Sequence, residues 1–139
     1  MTPTKLTQTR FGGSDTTPDE QGDCWATAVC SLYGQTVRAR DDLHKMITKG
    51  RWEANGDPSE WWEKTLWWLK DRGLPELIFE PNRAAVPEGL VIESGASPRV
   101  KGGHVVLVEW PSGVLWHDPH PDGGGVVDPD EWFYARANA

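Results

Sequence analysis

Two distant stretches of the chain carry residue types that can do chemistry together. Gln21-Gly22-Asp23-Cys24-Trp25-Ala26-Thr27-Ala28-Val29-Cys30 sets a cysteine where a glycine-containing loop turns into an apolar helix. A helix N-terminus offers unpaired N–H groups and the positive end of the helix dipole, and both make a thiol placed there more reactive. Eighty residues on, Gly103-His104-Val105-Val106-Leu107-Val108-Glu109-Trp110 puts a histidine at the head of an apolar run, and Trp116-His117-Asp118-Pro119-His120 puts an acid at the end of the next one. A cysteine nucleophile needs a base to take its proton and a third group to orient that base. Cys24, His104 and Asp118 are the residues expected to fill those roles.

The elements between them have to bring the three together. Cys24 to Tyr33 is apolar or small at nearly every position, which suits a helix buried on most faces and ended by Gly34. Val37 to Lys49 alternates charged residues with Leu43, Met46 and Ile47, a second, amphipathic helix closed by Gly50. Asp57-Pro58-Ser59-Glu60 reads as a variant capping box opening a third helix that runs to about Asp71, with Gly73 as its C-terminal glycine. Trp61, Thr65 and Trp68 form one stripe of that helix, with Trp62, Leu66 and Leu69 beside it, expected to cover a sheet.

Beyond Gly73 the pattern shortens to strands: Glu76–Glu80, Leu90–Glu93, His104–Trp110 and Val114–Asp118. Pro111-Ser112-Gly113 joins the last two as a hairpin, which brings Asp118 back beside His104. Ser94-Gly95-Ala96-Ser97-Pro98-Arg99 reads as a loop at the same sheet edge, either a solvated crossover or a cover that contacts substrate through Arg99. Asp128-Pro129-Asp130-Glu131 repeats the capping signature and suggests a short closing helix or an edge segment. Helices first and an antiparallel sheet afterwards is an α+β layout. Residues 1–20, rich in Thr, Pro, Gly and Asp, are expected as an extended or flexible arm ahead of a single domain over 21–139.

The bulk properties narrow the field. A chain of 139 residues with 37% apolar content and nine tryptophans fits one domain with a real core. A net charge of −7 argues against nucleic acid or an anionic membrane as the main partner. No export signal or membrane span is legible, so the expected location is the cytoplasm, with both thiols reduced. Cys24 and Cys30, six apart on one helix, point in different directions and do not suit a disulfide. His117, Asp118 and His120, with His104 or Cys24, are the only residues resembling a zinc set. His117 and Asp118 face opposite sides of a strand, and paired Cys-x-x-Cys spacing is absent. Gly123-Gly124-Gly125 lacks the lysine and helix of a phosphate loop, and the reading calls for no cofactor.

Gly22-Asp23-Cys24-Trp25 opening a helix, followed by Gly103-His104-Val105-Val106-Leu107-Val108 and Asp118-Pro119, resembles the papain-like cysteine peptidase superfamily. It is most similar to small bacterial and phage branches, including the leader-peptide-cleaving domains of bacteriocin exporters. The resemblance implies a papain-like fold, Cys24 as nucleophile, His104 as general base, Asp118 as orienting acid, and an acyl-enzyme formed from a peptide or protein substrate. It implies a glutamine upstream of the cysteine that helps to hold the oxyanion; six positions before Cys24 stands Pro18, and Gln21 is the nearby candidate. Trp25 matches the aromatic residue that follows the cysteine, and His120, between two prolines, is expected to line the cleft with Arg99. Two functions fit: a thiol peptidase, isopeptidase or amidase, and a papain-like binding module that captures a partner through a tryptophan-rich surface. The reactivity of Cys24 separates them. Oligomeric state is not legible.

Overall fold

The computed structural model describes residues 2–12, 22–48 and 60–137. Small and apolar side chains make α1 (Cys24–Leu32) a helix that can be enclosed, and every residue from Ala26 to Leu32 is buried. Gly34 ends it in the left-handed region at φ 66°, with the Gln35 N–H donating to Cys30 O at 2.8 Å. Glycine is required there on a second count, because a Cβ would run into the Thr2 carbonyl. The arm over residues 2–12 thus lies against α1, where Thr4 N–H donates to Ser31 O and Leu6 N–H to Ser31 Oγ.

Helix α2 (Val37–Thr48) starts under the Thr36 hydroxyl, which accepts from the Ala39 N–H, and turns Ala39, Leu43 and Ile47 inward. Helix α3 (Glu60–Asp71) stops as expected before Gly73, at φ 68°. The residues expected to cap it, Asp57–Ser59, like Lys49 and Gly50, lie outside the described residues. Of the stripe expected to cover the sheet, Thr65, Trp68 and Leu69 are buried and Trp61, Trp62 and Leu66 partly buried, while Trp67, outside the stripe, stays 59% exposed.

The strands are β1 (Leu77–Glu80), β2 (Gly89–Ala96), β3 (Gly103–Trp110), β4 (Val114–His117) and β5 (Val127–Ala135), in the spatial order β1-β5-β2-β3-β4. All pairs are antiparallel, so the molecule is α+β, with three helices and a five-stranded sheet. On one face Ile92, Val105, Leu107 and Phe133 meet α1 and α2 in the main core; on the other Val91, Val106, Val108 and Trp132 form a second cluster under Val86. Each fully buried Leu or Ile in these layers contributes about 1.5–3 kcal/mol.

Two expectations change. Residues 128–131 open no helix: they belong to β5, which lies between β1 and β2, but they pair with β2 alone and run past the last β1 pair, Glu80↔Trp132, so that on that side they stand at an edge. Pro129 is tolerated because the register jumps between Ser94↔Glu131 and Ala96↔Val127, leaving it in a bulge where Asp128 takes φ 49°. Gly95 is the counterpart of that bulge: a Cβ on it would lie 2.6 Å from Val127 O. The second change follows, since residues 94–96 belong to β2, and the connection to β3 shortens to the turn after Ala96. Among the described residues no helix is long and apolar enough to cross a membrane.

Candidate active site

Cys24 is the first residue of α1 and His104 the second of β3, and α1 lies on that strand. Asp118 follows the last residue of β4, one step beyond the Leu107↔His117 pair. The hairpin therefore delivers it to His104 as expected, and His104 Nε2 lies 2.7 Å from Asp118 Oδ1, with both side chains buried. With Nε2 held by the acid, Nδ1 is the nitrogen left for the Cys24 thiol, which lines the same cleft as the ring and is among the groups that raise its pKa.

The loop after β4 fixes the acid from behind. Asp118 Oδ1 also accepts from the His120 N–H at 2.9 Å, and Oδ2 accepts from the Gly125 N–H at 2.8 Å. Burial opposes the charge on Asp118, but the bonds to His104, Gly125 and His120 outweigh it and hold the carboxyl below the usual aspartate range. Burial likewise works against a charged His104. The Asp118 and Cys24 partners prevail and raise it to about 9, so the ring is cationic at neutral pH.

Asp23 builds the other wall. It is fully buried, and instead of capping α1 its carboxylate accepts from Thr9 N–H and Oγ1 at 3.1 Å and Arg10 N–H at 3.2 Å, with Arg40 Nε at 3.8 Å. The same arm reaches the far side of the site, where Gln8 N–H donates to Pro119 O at 2.9 Å and His117 Nε2–H to Leu6 O at 2.6 Å. Residues 6–10 therefore strap the loop before Cys24 to the loop that carries Asp118.

A cleft of about 230 Å³ opens beside the thiol, room for a side chain or two. Cys24, His104, Trp25, Arg99 and His120 all line it, so the expected site residues converge, with Asp118 behind His104. Trp25 does two things: its ring packs edge-on against Trp61 and Phe133 at 4.7 and 4.8 Å, and its Nε1–H donates to Thr65 Oγ1. Arg99 is committed to Asp122, with Nη1 2.9 Å from Oδ1. His117 turns away to the arm, and among the described residues no three His, Cys, Asp or Glu side chains converge on a common point.

No family model, curated protein or solved structure matches the chain. The site is legible only in its own geometry.

Gln21 lies outside the described residues. A different glutamine lines the cleft: Gln8 is buried, its Nε2 donates to Arg10 O at 2.8 Å, and its Oε1 has no partner among the described residues. No local signal marks it, since it sits in an arm without apolar period, sixteen positions before the cysteine it approaches.

Proposed function

We propose that this chain is a cysteine-dependent hydrolase of the papain-like kind, acting on peptide, isopeptide or side-chain amide bonds through a Cys24–His104–Asp118 triad. The observation that carries the reading is the buried 2.7 Å bond from His104 Nε2 to Asp118, with the ring and the Cys24 thiol lining one open cleft. In the resting pair the proton shared by Cys24 and His104 sits on the ring, and the sulfur attacks the carbonyl carbon. As the tetrahedral adduct collapses, the C–N bond breaks and His104 returns that proton to the leaving amine. Water, deprotonated by His104, then attacks the thioester; the C–S bond breaks and the thiol re-forms. The oxyanion is held by the Cys24 N–H at the start of α1, and the Gln8 amide, one N–H of which goes to Arg10 O, lies in the cleft as a second donor.

The test is alkylation with iodoacetamide between pH 5 and 9, read by mass spectrometry. Cys24 is expected to label at least about a hundredfold faster than Cys30 at pH 7, and His104→Ala to remove most of that lead. Equal labelling of the two thiols, indifferent to the substitution, would replace the hydrolase with a binding module on the same fold.

A further inference from the structure

One carboxylate in the cleft has no part in the chemistry above. Side chains alternate along β5, so Glu131 and Phe133 share the face on which the helices lie. Phe133 and its partner Ile92 belong to the core. The next pair along, Glu131 and Ser94, replaces that apolar layer with polar groups and lines the cleft of Cys24 and His104. Glu131 is half-buried, and among the described residues nothing donates a hydrogen bond or an ion pair to its carboxylate. Burial first, and then the charge of Asp130, push its pKa up, so the fold itself works against the ionised form. Glu131 is a partly buried carboxylate on the wall of an open cleft, with no donor from the described chain, and is therefore open to a partner that enters the cleft. The missing partner is a cation from outside.

The surroundings suit a cation on an aliphatic stem. Trp25 and Trp61, 4.7 Å apart, line the same cleft and offer ring surface to methylenes and to positive charge. The two basic side chains on the cleft wall are engaged elsewhere, Arg99 with Asp122 and Lys101 with a partner of its own. We infer that the cleft selects a peptide bearing a lysine or arginine side chain, with Glu131 as its counter-ion, which names the substrate class of the proposed hydrolase and rests on that reading.

The test separates binding from catalysis. Cys24→Ala protein is titrated at pH 7.5 with acetyl-Gly-Gly-Xaa-Gly-Gly-amide, where Xaa is lysine, norleucine or glutamate, and the indole N–H signals are followed by NMR. The lysine peptide should bind about tenfold tighter than the norleucine peptide and the glutamate peptide weakest. Glu131→Gln in the same background should bring lysine and norleucine level, and Glu131→Lys should reverse the order. No binding, equal binding, or a lysine preference that survives Glu131→Gln overturns the inference. Incubating the wild type with the same peptides keeps the two readings apart. Lysine-selective binding without cleavage counts against the hydrolase, and cleavage without lysine preference counts against the subsite alone.

Discussion

The two cysteines occupy one helix and have opposite fates. Cys24 stands half-buried at the start of α1 and borders the cleft together with His104, whose pKa it helps to raise. Cys30, less than two turns further along, is fully enclosed, and burial pushes its thiol up to about 12 even though Arg72 and Arg40 pull the other way. The residue type is the same and the helix is the same. What differs is whether the position has an open side and a basic partner, and a sulfur without either is a small hydrophobe.

The largest effect that sharpens this contrast is on turnover. Cys24→Ala should reduce hydrolysis of a responsive peptide by about a thousandfold or more and leave the melting temperature nearly unchanged. Cys30→Ala should do the reverse, costing about 1 kcal/mol of stability with turnover within a few-fold. Comparable losses of activity from the two substitutions would break the comparison.

A smaller effect comes from the acid that places Cys24. Asp23→Ala leaves Arg40 buried beside an empty site and frees Thr9 and Arg10, so a loss of about 2–4 kcal/mol is expected in denaturant titrations. Cys24 labelling should slow as the strap loosens, whereas Cys30 stays silent. Unchanged stability would mean that the arm does not hold the site.

These contrasts also mark what a single sequence reveals. Cys24, His104 and Asp118 were legible because each depends on local signals, a helix start, a strand start and a hairpin of short span. The three helices and four of the strands are legible for the same reason. Strand β5 is not, since Asp128-Pro129-Asp130-Glu131 satisfies a capping pattern locally and is overruled by pairing with β2, some thirty-five residues earlier. Gln8 and Asp23 escape for a related reason: their partners lie across the strap, and no period in residues 1–20 announces it. The placement of Glu131 needs the register of β5 before its face is known.

The smallest effect is a pH dependence that belongs to one cysteine only. His104 is raised in the folded protein, so the folded state holds a proton that the unfolded chain releases near the ordinary histidine value of 6.5. The stability it contributes is complete below that value and is lost as pH rises through about 9. Asp118, held low, sets the opposite edge: its contribution is present above the ordinary value of 3.8 and is lost as pH falls through the folded one. Unfolding free energies measured from pH 6 to 8.5, below the range in which the enclosed Cys30 would ionise on unfolding, should therefore decline by on the order of 2 kcal/mol in the wild type. Cys24→Ala removes one of the partners that raise His104, so its decline should be shallower and end at lower pH, and Cys30→Ala should follow the wild-type curve. A decline of the same depth in all three proteins would show that His104 is held by Asp118 alone, and that the thiol at the helix start stands as far from the base, in energy, as the one enclosed in the core.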